Sequence, residues 1–311
     1  MIRLLTLVFA AFAGLPAFAA PIELDAAKLR LMSASALVID AQDGKAVYAK
    51  AADEVTPIAS LTKLMTAMVV LDAAQPPDEV LSIDMDDFDY LKGSHSRLRM
   101  GASLTRDEML RLALMSSENR AASALARGYP GGTLAFVAAM NEKAMSLGMT
   151  RTHYDDPTGL SPRNVSTAND LAKLVRAAAE YPLIREYSTT PAHYVEVQPT
   201  GQTLGFNNSN ALVKNSAWDI QLQKTGYIRE AGRCVVMLAN IASKPVVIVL
   251  LDSIGTFTRV ADAQRVKHWL ETGESLPATA LKASMKPPAK PAAKPAKGIQ
   301  GKFVSAKATH G

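Results

Sequence analysis

The chain has 311 residues, 48% of them hydrophobic, which is enough for one large domain with a substantial core. The formal charge of +5 rests on Arg3 and on seven lysines after Ser275, and without them the body carries −3, which argues against a nucleic-acid-binding face. One cysteine, Cys234, excludes an internal disulfide framework.

Residues 1–19 read as a secretory signal peptide: Arg3, then an apolar run, then small residues at Ala17-Phe18-Ala19, with cleavage expected after Ala19. Gly14 and Pro16 interrupt the run, which is too short to span a bilayer comfortably. A buried N-terminal helix or an uncleaved anchor is the alternative. Residues 20–275 form the predicted folded body. It opens with SASALVIDAQDGKAVYAK, two apolar runs that turn at Asp43-Gly44, a hairpin signal.

The apolar stretch SLTKLMTAMVVLDAA predicts a helix that ends before Pro76-Pro77. Residues 84–99 are polar and mixed, a loop with short elements. A helix opens at Thr105, where Thr105 and Glu108 have capping-box spacing, and continues through the buried run MLRLALM. Another is predicted from about Leu134 to Leu147, stopped by Gly148, and another after Thr167 and Asp170. Helices then give way to three apolar runs, IQLQKTGY, RCVVMLANI and KPVVIVLLDS, read as strands, with Cys234 packed in the second. A last helix, about Val260 to Glu271, ends at Gly273. Strands at both ends with helices between predict an α+β fold. One antiparallel sheet is assembled from distant segments, and a helical region is inserted after its first two strands. Residues 276–311 form an Ala/Lys/Pro-rich basic tail without the apolar content to repay ordering. It is either a solvated tail or a weak electrostatic contact for anionic lipid or wall polymer.

Three short motifs carry chemistry. Ser60-Leu61-Thr62-Lys63 opens the first helix, where a residue three positions on can reach back to Ser60. A serine hydroxyl needs an adjacent base, and a lysine serves if burial and a neighbouring cation remove its proton. Alone this pattern is weak, since it arises by chance about once in a chain of this length. Ser117-Glu118-Asn119 follows the buried helix, on a loop. Ser117 can relay a proton, and Asn119 can hold a substrate amide. Lys224-Thr225-Gly226 lies on a strand: Lys224 as a fixed cation, Thr225 as a hydroxyl for a carboxylate, and Gly226 leaving the strand edge open to a substrate backbone.

In this order the three motifs resemble the signature of penicillin-binding proteins and class A β-lactamases. PIASLTKLMTAMVVLD, LALMSSENRAASALA, YPGG, DPTGLSPRNVSTANDL and QLQKTGY extend the resemblance over about Ser35 to Gly273. They are most similar to low-molecular-mass penicillin-binding proteins of the penicillin-binding protein 7 type, D-alanyl-D-alanine endopeptidases. The resemblance implies Ser60 as acyl-forming nucleophile, Lys63 as its base and Ser117 as catalytic partner. It implies substrate binding by Asn119, Lys224, Thr225, Gly226, Tyr227 and Arg259, with the N–H groups of Ser60 and Tyr227 as oxyanion hole. It further implies peptidoglycan peptide as substrate, β-lactams as inhibitors and a periplasmic location, soluble or loosely membrane-associated. No metal and no cofactor are expected, because the histidines lack ligand spacing.

Glu118, where carboxypeptidase relatives usually have a small residue, favours the endopeptidase subgroup. So do Tyr227, where they commonly have histidine, and the lack of length for a second, all-β domain after Gly273. The alternatives are a D-alanyl-D-alanine carboxypeptidase, a β-lactamase and a non-catalytic wall-binding domain. A β-lactamase of class A would need a glutamate in HYDDPTGLSPRN, where only Asp155 and Asp156 stand.

Overall fold

The computed structural model describes residues 24–276, so the predicted signal segment and the basic tail beyond Leu276 lie outside the described residues. In chain order the elements are β1 Ser35–Asp40, β2 Ala46–Lys50, β3 Thr56–Pro57, α1 Lys63–Asp72, β4 Val80–Ser82, β5 Ser103–Thr105, α2 Arg106–Met115, α3 Asn119–Arg127 and α4 Gly132–Ser146. They continue with β6 Val165–Ser166, α5 Ala168–Ala178, α6 Pro182–Thr189, β7 Ala192–Val197, β8 Gln202–Asn207, β9 Asp219–Ile228, β10 Gly232–Ile241, β11 Lys244–Ser253 and α7 Thr258–Thr272.

The main sheet has the order β2-β1-β11-β10-β9 and is antiparallel throughout. Both of its faces are covered, which is why its central strands are continuous apolar runs rather than alternating ones. On one face Leu37, Val236, Val247 and Val249 pack against the helical region. On the other, Ala36, Val38, Met237, Ile248 and Leu250 pack with Trp269 of α7. Cys234 is buried and free, and burial, the largest effect, pushes its thiol up to about 12, as befits a packing residue. The hairpin turn has Gly44 at φ 75°, and Gly273 ends α7 at φ 74°, both left-handed positions that glycine takes without strain.

Both predicted capping boxes are half made. Thr105 accepts from Glu108 N at 3.2 Å and Thr167 from Asp170 N at 3.1 Å. The acidic partners face elsewhere: Glu108 to His193 at 2.9 Å, Asp170 to Arg151 N at 2.9 Å and Thr152 Oγ1 at 3.0 Å. Tertiary partners outbid the local return bond. The sequence reading left α6 and the β7–β8 hairpin without an assignment. The helix is short and starts on Pro182, and the hairpin buries only Val195, Val197 and Phe206, too few for a clear period.

The buried carboxylate of Asp262 fastens the N-terminal end of the sheet to α7. It accepts from Met32 N at 2.9 Å, Ser33 N at 2.7 Å, Ser33 Oγ at 2.7 Å and Arg265 Nη1 at 2.5 Å. Asp262→Ala strands these donors, and it is expected to lower the unfolding free energy by about 3 kcal/mol in urea titration.

Candidate active site

Ala59–Thr62 is a 3-10 turn, and α1 begins only at Lys63, so Ser60 precedes the helix that the sequence pattern places it in. Thr62 Oγ1 tightens the turn by donating to Ala59 O at 2.8 Å. In a 3-10 turn residues three apart eclipse each other. Lys63 therefore stands directly against Ser60, with Nζ 2.9 Å from Oγ. Ala59, just before the first motif, has φ 49° and Ser117, in the second, has φ 63°, so a non-glycine residue in the left-handed region stands at each. Such strain persists only where surrounding contacts enforce it, and it clusters at functional sites.

Lys63 Nζ also donates to Asn119 Oδ1 at 2.7 Å and to Thr158 O at 2.6 Å. Burial, the dominant effect, lowers its amine to about 8, while the carboxylates of Asp156 and Glu118 act in the opposite sense. The expected neighbouring cation is not the cause. Lys224 is also fully buried, and burial, then Lys63 and Arg259, push its own amine well below the ordinary lysine range. Lys224 thus sits buried at the head of the third motif, with Lys63 and Arg259 as its cationic neighbours.

Asn119 opens α3 instead of lying on a loop, and Glu118 is the N-cap, accepting from Arg120 N at 3.2 Å. Asn119 spends its amide on the protein, with Oδ1 to Lys63 and Nδ2 to Ser94 Oγ at 2.9 Å. Its visible work is to aim the lysine. Ser117 has no hydrogen bond to another described residue and does not touch Lys63. Thr225 Oγ1 lies 2.8 Å from Ser209 Oγ, and Lys224 Nζ donates to Thr225 O at 2.9 Å. Gly226 lies on the edge strand β9, and its missing side chain lets the nucleophile turn pack close against that strand. A Cβ on Gly226 would stand 3.0 Å from Ile58 O and 3.1 Å from Ser60 N. Arg259 donates to Gly226 O at 3.1 Å and Cys234 O at 3.2 Å, bracing the third motif from behind.

Two loops complete the site, one in the segment around Asp89 and one in the segment HYDDPTGLSPRN, where the two aspartates have a structural task that the sequence reading does not assign them. Asp156 accepts from Thr158 N at 2.5 Å, Gly159 N at 2.8 Å and Ser161 N at 2.8 Å, folding its loop so that Thr158 O meets Lys63. Gly159, at φ 82°, presses on the turn so closely that a Cβ would sit 2.0 Å from Ala59 O. Asp155 pairs with Arg163 at 2.8 Å. Both aspartates are thus engaged within their own loop. Asp89 accepts from Leu91 N at 2.9 Å, Lys92 N at 2.8 Å and Ser94 N at 2.8 Å, and this delivers Ser94 to Asn119. An aspartate followed within a few residues by glycine or serine was the available signal in each case.

A cleft of about 570 Å³ has Ser60 and Asn119 in its lining, with Leu91, Lys92 and Ser94 on one wall and Tyr227 to Glu230 on the other. Lys92 and Glu230 join the walls by an ion pair of 2.6 Å. The second wall is β9, the edge strand of the sheet.

Fold and site together define a class, the penicillin-recognising serine acyl-transferring enzymes. The family model described as D-alanyl-D-alanine carboxypeptidase matches residues 23–255. A D-alanyl-D-alanine endopeptidase of Pseudomonas aeruginosa is 53% identical over 256 residues, covering 82% of this chain and 82% of the relative. One from Escherichia coli is 49% identical over 261 residues, covering 84% of each. Among solved structures, a Streptomyces DD-transpeptidase superposes with a TM-score of 0.72 at 28% identity, covering 78% of this chain and 98% of that one. A Listeria monocytogenes penicillin-binding protein, solved in its cefotaxime-bound form, gives 0.68 at 28% identity, covering 77% and 97%. The chain belongs to the D-alanyl-D-alanine carboxypeptidase family and is a serine peptidase.

Burial of Lys63 has a measurable consequence. Its ammonium is expected to titrate with a midpoint near 8 when followed by NMR at the lysine Cε. Glu118→Gln removes a carboxylate that holds the proton on, so its midpoint should fall below that of the parent. A parent midpoint above 10, or an upward move in the variant, contradicts this electrostatic account.

Proposed function

We propose that this chain cuts the D-alanyl peptide bond of peptidoglycan cross-links through an acyl-enzyme on Ser60. The observation that carries the reading is the contact of 2.9 Å between Ser60 Oγ and the fully buried Lys63 amine, in a cleft walled by an edge strand. Relatives matching more than four-fifths of both chains are named D-alanyl-D-alanine endopeptidases, which supports the cross-link as substrate.

With an amine lowered to about 8, about one Lys63 in ten is neutral at pH 7 and free to act as base. It takes the Ser60 proton as Oγ bonds to the D-alanine carbonyl carbon. The oxyanion is received by the N–H groups of Ser60 and Tyr227, at the turn where Gly159 and Gly226 keep side chains away. Collapse breaks the C–N bond, and the departing amine takes the proton carried by Lys63; Ser117, not bonded to Lys63 in the free site, passes it on once substrate lies between them. Water then hydrolyses the serine ester and restores Oγ–H. A substrate carboxylate arriving at Lys224 and Thr225 favours the charged form of Lys224, against the burial and the neighbouring cations that lower its amine.

The β-lactamase alternative is disfavoured, since Asp155 and Asp156 are held by Arg163 and by backbone N–H groups and neither is presented as a base for water. Secretion by residues 1–19 to the periplasm and a basic tail at 276–311 belong to the proposal on sequence grounds. No helix among the described residues is long and apolar enough to cross a membrane.

Purified cross-linked muropeptides incubated with the protein should disappear into monomers by mass, whereas loss of a single alanine from pentapeptides would assign carboxypeptidase action instead. Ser60→Ala should abolish covalent labelling by a fluorescent penicillin. Lys63→Arg should reduce labelling by about a hundredfold or more, because arginine keeps its proton. Retained labelling in either variant would overturn the assignment of nucleophile and base.

A further inference from the structure

A second cleft, of about 360 Å³, is lined by His95, Arg97, Ser116, Glu118, Phe206 and Asn207 among others. The two clefts are built from the same two segments. Ser94 and Asn119 line the first, while their chain neighbours His95 and Glu118 line the second. The clefts therefore adjoin across Ser117, the strained residue at φ 63°.

Their order along β9 follows from one contact. The first cleft runs to Tyr227, Arg229 and Glu230, at the C-terminal end of the strand. The second is walled by Phe206 and Asn207, and two residues on Ser209 Oγ lies 2.8 Å from Thr225 Oγ1. The second cleft thus sits toward Lys224 and Thr225, where the carboxyl side of the scissile bond must go if those residues meet a substrate carboxylate. In a carboxypeptidase substrate that side is one D-alanine. In a cross-link it is a whole peptide, and it needs space beyond Thr225.

The charges suit such a guest. Arg97 is exposed yet fixed, its guanidinium 4.6 Å over the Phe206 ring and hydrogen-bonded to Gly205 O. His95 is exposed on the same wall and has no hydrogen bond to another described residue. Glu118, the residue after Ser117, also lines this cleft.

We propose that this second cleft binds the leaving peptide of the cross-link, with Arg97 taking one of its carboxylates and Glu118 facing the amine that departs. The amine leaves neutral after accepting one proton, gains another from water, and is then an ammonium ion beside a carboxylate. The proposal rests on the cross-link reading above and assigns residues that make that reading specific.

The test compares three rates in the full chain: cleavage of cross-linked muropeptide dimers, removal of alanine from pentapeptides, and acylation by benzylpenicillin. Arg97→Gln should lower the ratio of dimer cleavage to penicillin acylation about tenfold, with the loss chiefly in kcat/KM for dimers. Because Arg97 also braces Gly205, His95→Glu is the second variant. It places a negative charge beside Arg97 on an exposed side chain, and it should lower the same ratio. If the wild type cleaves no dimers, the cross-link reading itself fails. If it cleaves them and both variants keep the ratio within twofold, or if His95→Glu changes all three rates alike, the assignment of the second cleft is overturned.

Discussion

Lys63 has no contact with solvent, and its Nζ lies within 2.9 Å of oxygens from three separate segments: Ser60, Asn119 and Thr158. A buried ammonium is tolerable only if its donors are satisfied, and a buried neutral amine is reactive only if it faces the right acceptor. The fold meets both conditions with one arrangement. Asn119 and Thr158 supply the oxygens that make burial bearable, and the third direction is left for the nucleophile. The carboxylates of Asp156 and Glu118 hold the amine near 8 against the larger pull of burial. The site is thus poised between two opposing effects instead of being driven to either limit.

Much of the surrounding structure serves that one amine. Asp156 and Asp89 each gather several backbone N–H groups, and each gives its loop a shape that depends on a single side chain. One loop presents Thr158 O, and the other presents Ser94 to the amide of Asn119. Asn164 ties the first loop to the nucleophile turn through Thr62 Oγ1 at 3.0 Å and Ile58 N at 3.0 Å. Charge-assisted bonds of this kind are short and directional, and they stiffen loops that have little apolar packing of their own.

The sheet and most helices were legible because burial on both faces writes itself as long apolar runs, as in RCVVMLANI and KPVVIVLLDS. The three motifs were legible by residue type and order. Their geometry was less so. The 3-10 turn under Ser60 depends on Gly159 and Gly226 closing from above and behind, and those contacts are long-range. Asn119 reads as a substrate ligand from its chemistry, yet it serves Lys63, because only the fold reveals which polar groups it meets first. Lys224 reads as a cation from its type, and only the fold reveals that it is fully buried beside Lys63 and Arg259, which lowers its amine. The β7–β8 hairpin escaped notice since most of its surface is polar.

The closing strands come from opposite ends of the body, with Ser35 paired to Leu251 and the nucleophile turn pressed against Gly226. A chain that has emerged only as far as Asn164 holds Ser60, Lys63, Asn119 and Thr158 but lacks β9, β10 and β11, three of the five strands of the main sheet. Folding of this long-range kind is slow relative to local structure. Until β9 docks, Ser60 and Lys63 lack the edge strand that walls their cleft, so the strand order places completion of the site at the end of synthesis.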